Sequence, residues 1–164
     1  MKVFIITHGT HKKGGNDATS YDGPLTQEAK DKVAKISLPK VDAIYRGIMQ
    51  RHRETAEVLG VEEKLTTHPA CGNDQEMFAC INQNDMTVVR EFQKFLTLAK
   101  EYRHKAILVI TSRLFPIIFK YLQSGGEAKL GPLGPFCTAV ETIATWENTN
   151  IPVMESGIMH EFEF

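Results

Sequence analysis

Apolar residues fall along this chain in two patterns, short continuous runs and longer stretches with helical spacing. The runs Lys2–Ile6 (KVFII), Val41–Tyr45 (VDAIY) and Ala106–Thr111 (AILVIT) are rich in β-forming residues. Their continuity predicts strands covered on both faces, as in a parallel sheet. Thr26 stands where an N-cap would open a helix to about Ile36, with Glu28 and Asp31 near its positive end. Gln50–Leu59 has helical spacing and is stopped by Gly60. Asp85 would open a long amphipathic helix to about Arg103, whose apolar face carries Val88, Val89, Phe92, Phe95, Leu96 and Ala99. Lys64–His68 predicts a further short strand, and Leu114–Leu122 an apolar helix with Pro116 in its first turn, ended by Ser124-Gly125-Gly126. Ala139–Trp146 and Ile151–Met154 predict two closing strands. Strands alternating with helices in this order predict an α/β fold, a three-layer α/β/α arrangement around a mainly parallel sheet, as a single domain over residues 1–164.

Two polar stretches interrupt the pattern. Thr10–Pro24 (THKKGGNDATSYDGP) and the excursion from Pro69 to about Asn84 have no periodicity. A structureless loop as long as Thr10–Pro24 in a compact domain is usually functional or mobile. Composition narrows the function. With 19 basic and 20 acidic residues the net charge is −1, so there is no electrostatic footprint for nucleic acid or an anionic membrane. Any basic site must be local. Three widely spaced cysteines (Cys71, Cys80, Cys137) argue against a disulfide framework, and His11, His68 and His104 have no partner at metal-ligand spacing. No metal or cofactor is expected. The N-terminal apolar run is too short for a signal peptide and no stretch reaches membrane-spanning length, which makes a cytoplasmic location the expectation.

Ligands of parallel α/β sheets bind beyond the carboxyl ends of the strands. Four polar groups fall there: Thr7-His8-Gly9-Thr10 after the first strand, Arg46-Gly47 after the second, Ser112-Arg113 after AILVIT, and Arg51 at the start of the helix from Gln50. A histidine beside arginines and a helix N-terminus suits an anion. Read in order, IITHGT, DGPLTQEAKDKV and DAIYRGIMQRHRETAEVL resemble the histidine phosphatase superfamily, the phosphoglycerate-mutase-like group. Pro24-Leu25-Thr26 and Arg51 through Thr55-Ala56 match its motifs in type and spacing.

That resemblance implies a phosphoglycerate-mutase-like fold and specific roles. His8 resembles the nucleophile that takes a phosphoryl group on its ring nitrogen, and Arg51 a phosphate-clamping arginine. Glu76 resembles the acid that protonates the leaving oxygen, with Asp74 as the alternative, and Asn16 a loop asparagine near the phosphate. Gly9 completes the His-Gly motif. His160 resembles a C-terminal histidine of the family by position only, and a structural role suits it better. The pattern also departs from the family. Thr7 stands where an arginine precedes the nucleophile, Ser112 where a second phosphate-binding histidine follows the buried strand, and Arg46-Gly47 where a serine pair follows the second strand. Losing two cationic partners could lower turnover by ~10⁴ if the effects add. Arg46 or Arg113 could refill the clamp; solvent-facing arginines are the other reading. Lys12 and Lys13 are either guides for an anion or a solvated pair, and His52 and Arg53 should point to other helix faces than Arg51.

The expected activity is a weak phosphohydrolase with a phosphohistidine intermediate, acting on a phosphorylated small molecule or phosphoprotein. The alternative is a catalytically silent member of the same fold that binds an anion or a protein partner. A mutase would need insertions for which so short a chain has little room.

Overall fold

The computed structural model describes residues 1–10, 23–72, 87–112 and 156–164, together with Phe115, Pro116, Phe119 and Gln123. Its elements are β1 (Lys2–Thr7), α1 (Gln27–Val33), β2 (Ala43–Arg46), α2 (Gln50–Leu59), β3 (Leu65–Thr67), α3 (Thr87–Glu101), β4 (Ala106–Thr111) and β5 (Met159–Glu163). Single 3₁₀ turns at Glu62–Lys64 and Pro69–Cys71 flank β3.

The strands form one sheet in the order β3-β2-β4-β1-β5. β1 and β4 run parallel with Lys2 opposite Ala106 and Thr7 opposite Thr111, and β2 is parallel to both β3 and β4. Among the described strands only β5 is antiparallel, set against β1 with Ile5 opposite His160. After β1 the chain crosses over to β2 and continues outward to β3, and it then returns to place β4 between β2 and β1. The carboxyl ends of β1 and β4 therefore lie at the point where the winding reverses, where open α/β sheets form their ligand crevice.

The sheet is covered on both faces, as its continuous apolar runs predict. On one face Val3, Ile5, Ile107 and Val109 pack with Val89, Phe92, Phe95, Leu96 and Ala99 of α3 and with Phe115 and Phe119. On the other, Phe4, Ile6, Ile44, Leu108 and Ile110 pack with Ala56 of α2 and Val61. Burial alternates between faces because successive strand side chains point opposite ways.

The helix boundaries follow local chemistry. Thr26 caps α1, its hydroxyl accepting from the Ala29 N–H at 3.2 Å. Gly60 ends α2 at φ 65, a left-handed conformation that glycine adopts without steric penalty. α1 is shorter than expected and ends at Val33. The weak strand narrows to Leu65–Thr67, since the residues before it form a 3₁₀ turn. β5 falls in the tail beyond Glu155, where no strand was expected; its alternation of half-buried and exposed residues is that of an edge strand. The expected strands Ala139–Trp146 and Ile151–Met154 lie outside the described residues.

Candidate functional site

β1 delivers His8 to the crevice. Its backbone N–H donates to the Thr111 carbonyl at 2.9 Å, which extends the β1–β4 ladder by one residue. The side chain is 6% exposed. Nδ1 lies 2.7 Å from the Gly9 carbonyl, and Nε2 lies 3.0 Å from Nε of Arg51. These contacts fix the tautomer. A carbonyl can only accept and a guanidinium can only donate, so Nδ1 carries the proton and Nε2 presents its lone pair. Arg51 sits in the first turn of α2 and is 1% exposed. A buried guanidinium keeps its charge, so the centre of this site is a permanent cation hydrogen-bonded to a neutral imidazole.

Close packing of the strand ends against the helices makes this possible. A Cβ on Gly9 would fall 2.4 Å from Cβ of Ala29, so only glycine lets α1 approach the end of β1. Glu54 then ties α1 to α2. Its carboxylate accepts from the Leu25 N–H at 2.9 Å and from Gln50 Nε2 at 2.7 Å, and Lys30 Nζ lies 3.4 Å away. Burial opposes ionisation of Glu54, but the bonds from Gln50 and Leu25 and the Lys30 charge outweigh it and hold the carboxyl below its ordinary value. The Pro-Leu-Thr segment is thus anchored to the arginine-bearing helix through Leu25. Thr55 closes the same turn, its hydroxyl donating to the Arg51 carbonyl at 2.7 Å.

The other sequence-predicted residues take distinct places. Thr7 is fully buried at the end of β1 on the opposite strand face from His8, with its backbone bonded to Ile158 and Gly157. Ser112 is buried just beyond β4, and its carbonyl accepts from the Phe115 N–H. Arg46 closes β2, and its Nη1 donates to the Gly47 carbonyl at 2.9 Å. Burial lowers its pKa, Arg53 adds to that and Glu57 opposes it, so its charged neighbours include exposed residues of α2. Glu76, Asp74, Asn16, Arg113, Lys12 and Lys13 lie outside the described residues. His160 sits in β5, paired with Ile5.

Two residues stand out that sequence reasoning passed over. Glu54 has no local signature, because no spacing along the helix reveals a partner 29 residues away at Leu25. His52 was expected on a different helix face from Arg51, yet it is fully buried with its ring centroid 5.5 Å from that of His8. Consecutive helical residues do diverge, but α2 meets the strand ends with its N-terminus, so side chains from more than one face reach the crevice. The nearby glycines Gly47 and Gly72 were the available signal.

Among the described residues no group of three or more His, Cys, Asp or Glu is arranged to hold a metal, and no helix is long and apolar enough to cross a membrane. Cys71 is buried, and burial pushes its thiol well above the ordinary value, which keeps it protonated.

Sheet order, helix placement and the position of the pair define the chain as a phosphoglycerate-mutase-like α/β fold with a buried histidine–arginine pair at its strand ends. Solved structures of the histidine phosphatase superfamily share that fold. YhfR from Bacillus stearothermophilus superimposes with a TM-score of 0.61 at 13% identity, covering 99% of this chain and 90% of its own. The alpha-ribazole phosphatase from Shigella flexneri gives 0.60 at 13% identity, covering 100% and 91%. A phosphoglycerate mutase from Bacillus anthracis gives 0.52 at 14% identity, covering 79% and 82%. At the level of sequence, no protein-family model and no curated protein matches the chain.

Proposed function

We propose that the chain is a histidine-phosphatase-like protein whose phosphate site is centred on His8 and Arg51, and that it works as a weak phosphohydrolase through a phosphohistidine intermediate. The observation that carries this is the His8 pair itself: Nδ1–H is held by the Gly9 carbonyl while Nε2 faces the buried Arg51 guanidinium at 3.0 Å. The names of the fold neighbours, an alpha-ribazole phosphatase and a phosphoglycerate mutase, lend support through chemistry of phosphate esters.

A phosphate monoester entering between the two groups takes the Arg51 N–H onto one of its oxygens and frees the Nε2 lone pair. That lone pair attacks phosphorus as the ester P–O bond breaks, and the leaving oxygen takes a proton from an acid, the role proposed for Glu76. Water then attacks phospho-His8 and gives a proton to the conjugate base of that acid, which restores it for the next turnover. The P–N bond breaks, its electron pair returns to Nε2, and inorganic phosphate departs. Arg51 neutralises the equatorial oxygens in both steps, which is where most of the catalysis of phosphoryl transfer resides.

The alternative, a catalytically silent protein that binds an anion or a partner at the same site, is favoured by one observation. Thr7 and Ser112 are uncharged and Arg46 is turned to the Gly47 carbonyl, so among the described residues Arg51 is the cation that meets His8. Turnover of a chromogenic aryl phosphate by the wild type and by His8→Ala separates the two. Hydrolysis abolished by His8→Ala is the expected result; equal, negligible rates in both overturn the hydrolase reading in favour of binding.

A further inference from the structure

His52 is a buried titratable side chain that the chemistry above does not use. It lies at the second position of α2, with no solvent exposure. Burying an imidazole rather than an aliphatic group carries a desolvation cost, so a filler of core space would ordinarily be apolar. Two glycines make room for its ring. A Cβ on Gly47 would lie 2.3 Å from His52 Nδ1, and one on Gly72 would lie 2.8 Å from His52 Cε1. Gly47 follows β2 and Gly72 follows the Pro69–Cys71 turn, so loops from two separate parts of the chain give up their side chains around the same imidazole. The Ile48 N–H donates to the Gly72 carbonyl at 3.0 Å and locks the two loops together.

The cradle leads directly to His8. The His52 and His8 rings are 5.5 Å apart and inclined at 44°, a contact geometry typical of packed aromatic rings. Thr111, whose carbonyl holds the His8 backbone N–H, also borders the cradle: its hydroxyl would be 3.1 Å from the same Gly72 Cβ. A shift of the His52 ring therefore reaches the His8 ring that it packs against.

We propose that His52 is a positioning residue, wedged between the Gly47 and Gly72 loops so that its ring backs the His8 ring and keeps Nδ1 on the Gly9 carbonyl and Nε2 towards Arg51. This rests on the phosphate-site reading for its purpose, but not for its geometry. Reactive groups misplaced by as little as an ångström lose large factors in rate, which is the value of such a wedge.

The test combines imidazole ¹⁵N spectra with titration by inorganic phosphate. In the wild type the His8 spectrum should show one tautomer, protonated at Nδ1. In His52→Gln, which retains similar bulk without the ring, the His8 signals should move towards an average of the two tautomers, and phosphate affinity should fall about tenfold. A His8 spectrum and affinity identical to wild type overturn the proposal. Should His52→Gln not fold, the wild type alone decides: phosphate should shift the His52 signals in step with those of His8, and unmoved His52 signals overturn it. An Arg51→Ala arm reads the underlying site separately. Phosphate binding equal in wild type and Arg51→Ala would sink the phosphate reading, while the tautomer comparison, made without phosphate, still judges His52.

Discussion

Single side chains set the chemistry of this crevice, and glycine matters as much as histidine. The His8 ring is held in one tautomer because two one-way hydrogen-bonding groups flank it: Nδ1–H donates to the Gly9 carbonyl, and the Nε2 lone pair accepts from the Arg51 guanidinium. Gly9 also admits Ala29, whose Cβ would lie 2.4 Å from any Cβ added there. Gly9→Ala should therefore push α1 away from β1, costing about 1–3 kcal/mol of stability and weakening phosphate binding. Chemical denaturation with a parallel phosphate titration would show it; a variant as stable as wild type would mean that α1 yields freely. The placement of His8, Arg51, Thr7 and Ser112 at strand ends and a helix start was legible in the sequence, because such boundaries have local signatures. His52 was not, since the contact with His8 depends on how α2 meets the sheet, a property of packing rather than of spacing.

Elements are joined here by a small number of buried polar links, of which Glu54 is the clearest. It binds the Leu25 N–H ahead of α1 and Gln50 and Lys30 on either side, so α1 and α2 present Gly9's neighbour and Arg51 as one unit. Its carboxyl is held below the ordinary value. A depressed carboxylate stabilises the fold above its unfolded-state value, and that contribution is lost as pH falls through the folded-state value. Glu54→Gln should cost about 1–2 kcal/mol at neutral pH, and the gap to wild type should close in acid, where the wild-type carboxyl is itself protonated. Thermal midpoints measured across acid and neutral pH check this; a gap independent of pH would rule out the charge. Asp42 adds to the same acid sensitivity, because the Ala106 and Lys105 N–H groups donate to it and lower its pKa. At this scale the sequence was informative about β1, β4, α2 and α3, whose apolar runs or periodicity are strong. It failed on β5, an edge strand whose mixed burial leaves no continuous apolar run to read.

The molecule as a whole is a sheet whose winding reverses beside β1 and β4, with the buried pair at that reversal. A chain of net charge −1 has no broad field to gather anions, so the proposed phosphate binding depends on the local cation. This makes Arg51 the point on which the account turns. Buried charge-assisted hydrogen bonds contribute about 1.5–3 kcal/mol each. Removing the guanidinium should therefore weaken phosphate binding about tenfold to a hundredfold, with the fold retained. The most direct measurement is a calorimetric titration of inorganic phosphate into wild type and Arg51→Ala at neutral pH. Saturable binding by the wild type, weakened by that factor in the variant, is the expected result. Equal affinity in the two proteins, or no binding by the wild type, would contradict it.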